Sequence, residues 1–319
     1  MHPLLIRVES FVTFGYEWGP IEVHAYGILI AIGFVFCVLT GFKLGKKDKL
    51  DPNFVFDLAF WLLLAGMLGS RILYSIVNVK NYYNACFHHE MPNPLNANLP
   101  LLEPECWNII KLWEGGLVWY GGLIGAIFAG ILICRKKGIS FAMAADIALG
   151  VLPLGHFFGR IGCFMAGCCW GQVTDGPLGI FFPKNALVYQ SAIIHDEITP
   201  HFPVHPTQLY EAFGLLTIFA ILLLVRKHRK FYGQVALSYL IMYPILRSIV
   251  EIFRGDSARG FLFSWDTTIV IDKIEYIQQT GISTSQVISV LVATGGLIWM
   301  RYLLKNKSDY QSRMSSKSS

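Results

Sequence analysis

The sequence predicts an all-α integral membrane protein: seven transmembrane helices carrying a small extramembrane head. Three observations predict it. Of its 319 residues, 54% are hydrophobic and only 15% charged, with a mean hydropathy of +0.50, too apolar for a soluble domain. Seven stretches are long enough to cross about 30 Å of hydrocarbon, which takes about 20 residues each. Lysine and arginine gather in alternate connections between those stretches, the asymmetry that orients helices in a bilayer.

The spans run roughly 25–44, 54–79, 116–134, 142–163, 209–226, 233–253 and 286–304. No cleavable signal pattern precedes the first, because the opening residues are acidic and aromatic. The first apolar segment is therefore expected to act as an uncleaved signal-anchor. The third reads GGLVWYGGLIGAIFAG; small residues at this density promote close helix packing in membranes. The fourth contains Pro153 and several glycines and is expected to be kinked or broken. The first connection carries Lys43, Lys46, Lys47 and Lys49, the third Arg135, Lys136 and Lys137, and the fifth Arg226, Lys227, Arg229 and Lys230. These odd connections are expected inside and the N-terminus outside. Lys305, Lys307 and Lys317 fall on the inner side. Residues 1–305 are read as one seven-span domain and 306–319, rich in serine, as a disordered cytoplasmic tail.

The external loops, about 80–115 and 164–208, carry prolines, asparagines and short β-like runs such as Leu178–Phe182 and are expected to form the head. The inverted repeat that marks many secondary transporters is missing. A net charge of +5, confined to short clusters, speaks to topology and anionic lipid and excludes a nucleic-acid partner. Seven cysteines occur without a CxxC pair, so zinc of the usual spacing is not expected. Cys86 and Cys106 are placed to pair outside. Cys37 and Cys134 read as small core residues; Cys163, Cys168 and Cys169 invite a redox or metal reading, with small, polarisable packing residues the favoured account. His88, His89 and His195 read as solvated loop residues.

The stretch GRIGCFMAGCCWG, Gly159 to Gly171, sets Arg160 in an apolar run between glycines. A charge in hydrocarbon costs about 2.5–3.5 kcal/mol on insertion scales and is retained where something anionic meets it. Arg247, Glu251 and Arg254 follow at spacings of four and three, which places them on one helical face, with Tyr243 four residues earlier on the same stripe. His205, Gln208, Tyr210 and Glu211 enter span five from outside. His24 and Tyr26 open span one, Tyr120 lies in the outer part of span three, and Arg71 leaves span two on that side. Three arginines against two carboxylates leave a net positive site, and the planar guanidinium fork suits phosphate oxygens. The plainer alternative is a structural network in which Glu251 neutralises Arg247 or Arg254.

These residues resemble the prolipoprotein diacylglyceryl transferase family of the bacterial inner membrane. The likeness covers nearly the whole chain: HAYGILIAIGF, GSRILY, EGGLVWYGGLIGA, PLGHFFGRIGCFMAGCCWG, HPTQLYEA, YPILRSIVEIFRGD and GISTSQVISV. It implies seven spans with the N-terminus outside, a periplasmic head and a cytoplasmic tail. It also implies transfer of diacylglyceryl from phosphatidylglycerol to the lipobox cysteine of a prolipoprotein signal peptide, with a thioether formed and glycerol phosphate released. Membrane lipids are its other partners; no cofactor and no metal are implied. Arg160, Arg247, Glu251, Arg254, Tyr26, His205, Gln208, Tyr210 and Glu211 match family positions. Three positions depart: many members carry histidine at Tyr120, a favoured base, asparagine at Cys163 and glutamate at Cys168. His156, four residues before Arg160, or His205 then stands in as base. The catalytic set is Arg160, Arg247, His156, His205, Tyr120 and Glu251. The substrate-binding set is Arg160, Arg247, Arg254, Tyr26, Gln208, Tyr210 and Gly162. A non-catalytic phospholipid-binding or transport protein of the same fold is the competing reading, motivated by the three departures.

Overall fold

A computed structural model describes residues 4–8, 11–13, 16–18, 21–79, 116–183, 186–188, 203–255, 261–271 and 274–306. The proposed Cys86–Cys106 pair, His88, His89, His195 and residues 307–319 of the tail lie outside the described residues. In chain order the elements are strands β1 (Leu4–Val8), β2 (Phe11–Thr13), β3 (Tyr16–Trp18) and β4 (Ile21–His24), then helices α1 (Ala25–Lys47), α2 (Pro52–Val77), α3 (Trp119–Lys137), α4 (Phe141–Ala166), α5 (Thr207–Lys227) and α6 (Gln234–Ile252), the strands β5 (Phe261–Ile271) and β6 (Ile274–Ser283), and helix α7 (Thr284–Lys305). The seven helices coincide with the seven predicted spans, and each is long and apolar enough to cross a membrane. Their outward faces carry large apolar side chains, such as Phe128, Phe213 and Trp299, each at least 60% exposed, which is stable only where lipid takes the place of water. The protein is a multi-pass membrane protein.

The chain divides into two compact units, and one of them spans residues 45–144. Asp51 starts its helix α2 by accepting the Asn53 backbone N–H at 3.0 Å, with Pro52 at the first helical position. Helices α2 and α3 meet on small residues: a Cβ at Gly121 would run into the carbonyl of Gly69, and one at Gly125 into that of Ala65. This is the close backbone approach that glycine permits between membrane helices. Gly138, at φ 65°, ends α3 in the left-handed conformation. Arg71, buried within α2, donates to the Gly116 carbonyl at 3.3 Å.

The larger unit holds the other helices and all the strands. Helix α4 runs through Pro153 as one continuous helix, so of the expected kink or break the break does not occur. In hydrocarbon a broken helix leaves its backbone groups without partners, so proline is accommodated inside the helix. Asp146, fully buried on α4, accepts the Gly233 and Ala236 backbone N–H groups at 2.9 and 3.0 Å and so caps the start of α6. Arg226 donates to the Leu44 carbonyl in the last turn of α1 at 2.9 Å. A capping box of Ser283 and Gln286 begins α7.

The strands form three two-stranded antiparallel ladders, β1–β4, β2–β3 and β5–β6. None was anticipated from the sequence. The β-like run predicted at Leu178–Phe182 appears as a single bridge, Ile180 to Val204, beside a second from Val173 to Val204. Around them Val173, Phe182, Ala186, Val188 and Val204 form the small core of the head, covered by Phe164, Trp170 and Ile180.

Candidate active site

Three chain segments of the larger unit converge on the polar residues singled out above: the end of α4, the HPTQLYEA entry to α5, and the second half of α6. Backbone hydrogen bonds tie them together. Gly171 N–H donates to the His205 carbonyl at 2.9 Å, His205 N–H to Gln172 at 2.9 Å, and Gln172 N–H to Phe253 at 2.7 Å, while Gly171 and Arg254 form a bridge.

Glu211 occupies the centre. Its carboxylate, about 1% exposed, takes Arg160 Nη2 at 3.0 Å on one oxygen and faces Arg247 Nη1 at 4.0 Å with the other. Tyr243 Oη donates to the first oxygen at 3.5 Å. Arg247 Nη2 pairs with Glu251 at 2.7 Å, one helical turn on. The His156 ring lies 5.3 Å from that of Tyr243, which stacks in turn on Tyr239 at 5.5 Å. The fold thus brings together His156 and Arg160 of α4, Glu211 of α5, and Tyr243, Arg247 and Glu251 of α6. Two donors in this cluster, Arg160 Nε and Arg247 Nη1, are buried without a hydrogen-bond acceptor. Buried donors of that kind are costly and call for an explanation at each occurrence.

The remaining predicted residues take other positions. His205 Nδ1 meets Tyr210 Oη at 3.0 Å, and its ring packs against Phe253 at 5.3 Å. Burial pushes the His205 pKa below its ordinary 6.5, so its ring is neutral at pH 7. Gln208, almost fully buried, donates to the Cys168 carbonyl at 2.6 Å, and Thr207 to the Cys169 carbonyl at 2.8 Å. Tyr26 packs on Gly162, where a Cβ would approach its ring to 2.9 Å. Arg254 ends the site at the bridge to Gly171. Tyr120, 57% exposed, opens α3 in the other unit, edge-on to Trp119.

Glu211 and Tyr243 carry more of this geometry than their place in the sequence reading suggested. Glu211 was one polar residue among four entering a span. Its burial was the missing signal, since a carboxylate that deep needs cationic partners. Cys163, Cys168 and Cys169 also gather: their sulfurs all lie within 4.8 Å of one another. The Cys168 thiol donates to the Cys163 carbonyl at 3.7 Å.

A polytopic membrane protein with a buried arginine–glutamate cluster, joined to a small polar head, is the class this fold and site define. Residues 13–302 match the profile of the family described as prolipoprotein diacylglyceryl transferase. The chain belongs to that family. It is 34% identical over 269 residues to the phosphatidylglycerol–prolipoprotein diacylglyceryl transferase of Legionella pneumophila strain Lens, covering 82% of this chain and 92% of the relative. Likewise it is 33% identical over 242 residues to the protein of that name from Clostridium tetani, covering 76% and 84%. Against the one from Bordetella avium it is 30% identical over 300 residues, covering 92% and 95%.

Proposed function

We propose that this protein transfers the diacylglyceryl group of phosphatidylglycerol to the lipobox cysteine thiol of prolipoproteins in the bacterial inner membrane. The observation that carries the reading is the pair of buried donors without a hydrogen-bond acceptor, Arg160 Nε and Arg247 Nη1, the second held only by the long 4.0 Å ion pair to Glu211. They sit on guanidinium groups oriented by Glu211 and Glu251, and a lipid phosphate supplies the acceptors they lack. The substrate thiolate attacks the glycerol carbon that bears the phosphodiester. The carbon–oxygen bond breaks and its electron pair leaves on the phosphate oxygen as glycerol phosphate. Donors already aimed at that phosphate stabilise the charge growing on it.

His156 or His205 takes the thiol proton. His156 stands beside Tyr243 in the cluster, and His205 is neutral at pH 7 and so free to accept it. Tyr26 and Gly162 line the approach, and Arg254 adds positive charge at the outer edge. With the N-terminus outside and the C-terminus cytoplasmic, the cluster lies at the outer leaflet, where the signal peptide is delivered.

The test is purified protein with phosphatidylglycerol vesicles and a lipobox peptide. Thioether product is the expected result. Lipid binding without product would establish instead the competing reading of a non-catalytic phospholipid-binding protein.

A further inference from the structure

We propose that Cys163, Cys168 and Cys169 form a three-thiolate site for a zinc ion, and that its open fourth position takes the substrate thiol. The second half rests on the transfer reaction proposed above; the first does not.

Backbone geometry assembles the site. Helix α4 ends in a Schellman motif: Cys168 N–H donates to the Cys163 carbonyl at 3.1 Å, and Gly167 N–H to Phe164 at 3.2 Å. Gly167 sits at φ 72°, the left-handed conformation that glycine adopts without strain. This motif brings the residues at its two ends, here Cys163 and Cys168, into side-chain contact. Cys169 then adopts φ 61°, a conformation a non-glycine residue holds only when its surroundings impose it. The imposing contacts are the hydrogen bonds from Thr207 and Gln208 to the carbonyls of Cys169 and Cys168. The turn therefore folds back on itself, and three sulfurs from a seven-residue segment converge.

Their separations suit zinc. Zinc–sulfur bonds of about 2.3 Å in a tetrahedron put the sulfurs about 3.8 Å apart; here all three lie within 4.8 Å, so closure by about 1 Å completes the set. Three thiolates on a divalent ion carry one net negative charge. Arg160, one turn before Cys163 on α4, and Arg254, bridged to Gly171 just after the turn, supply positive charge on the segments that flank it. Three protein ligands with one position open is the arrangement of zinc that does chemistry, whereas structural zinc is closed by four.

The reaction gives that position a use. A thiol that coordinates zinc is deprotonated outright, and its proton passes to the histidine base proposed above. The metal-bound sulfur forms the new bond to the glycerol carbon as the carbon–oxygen bond to phosphate breaks. The thioether product is neutral, a weaker ligand than thiolate, and leaves. No oxidation or reduction occurs.

The experiment uses the full-length protein purified without chelator. One zinc per chain is expected, lost in Cys163→Ser, Cys168→Ser and Cys169→Ser. Cobalt exchanged into the site should give thiolate-to-metal absorption in the near ultraviolet. That absorption should change with a lipobox peptide and stay unchanged with its serine analogue. Chelation of the wild-type protein should lower turnover about tenfold or more, with recovery on adding zinc. A metal-free preparation with full turnover overturns the proposal and leaves the transferase reading intact. So does a disulfide among the three cysteines, found by alkylation before and after reduction, or copper(I) saturating all three sulfurs. A cobalt spectrum that responds to peptide in a protein that makes no thioether supports the site and overturns the transferase reading instead.

Discussion

Glu211 decides how the site behaves at the scale of single residues. Removing one partner of a buried ion pair typically costs about 3–5 kcal/mol, because the other charge stays buried. Glu211→Gln leaves Arg160 without its 3.0 Å partner and should lower the unfolding temperature in detergent along with turnover. Arg160→Lys and Arg247→Lys should keep the charge and the fold yet lose most activity, since an ammonium cannot reproduce a fork that serves a carboxylate and a phosphate together. Near-normal turnover in either lysine variant would make the arginine a structural charge only. Arg254→Lys should be milder, at the edge of the cluster where charge pairs are worth less. The histidine carries a pH signature. A base whose folded pKa lies below 6.5 is neutral above that pH and charges only as pH falls through the lowered value. If His205 is the base, turnover should therefore hold down to pH 6.5 and fall on an acid limb below it. His205→Gln should cut turnover about tenfold at pH 7, with partial rescue at high pH as the thiol, of pKa about 8.5, ionises unaided. Should His205→Gln, His156→Gln and the double variant all keep wild-type rates, the proton goes elsewhere.

At the scale of elements, the helices were legible because hydropathy over about 20 residues is a strong signal, and every predicted span became a helix. The Arg247–Glu251 pair was legible from its spacing alone. The arginine–glutamate contact between α4 and α5 was not, because residues 51 apart meet only through the packing of whole helices. The strands were missed for a physical reason. In β5 and β6 the apolar residues neither alternate strictly nor reach span length, and in the short N-terminal strands the pattern is too brief to read. The cysteines failed as a spacing motif because two left-handed residues, Gly167 and Cys169, fold the turn more tightly than a linear pattern conveys. Asp146 illustrates a single side chain holding an element. Its two hydrogen bonds to the start of α6 should make Asp146→Ala cost about 0.5–2 kcal/mol, seen as a lower unfolding midpoint. The lost cap would also loosen the helix that carries Arg247 and Glu251.

For the whole molecule the governing question is which side of the membrane the cluster faces, because the transfer reaction needs the outer leaflet. The end of α5 and its connection to α6 carry Arg226, Lys227, Arg229 and Lys230, and the proposed orientation puts positive charge of that density on the cytoplasmic side. Arg226 is buried against the end of α1, whereas Lys227 and Lys230 are exposed and serve as reporters. Asp175, exposed in the head, reports the opposite side. In intact cells Asp175→Cys should take up an impermeant maleimide label beyond the level of the parent protein, and Lys227→Cys and Lys230→Cys should do so only after the cells are opened. The converse pattern would place Arg160, Glu211 and Arg247 at the inner leaflet. A lipobox cysteine delivered from outside could not then reach them, and the proposed reaction would lose its geometry even though the family and the seven helices stood.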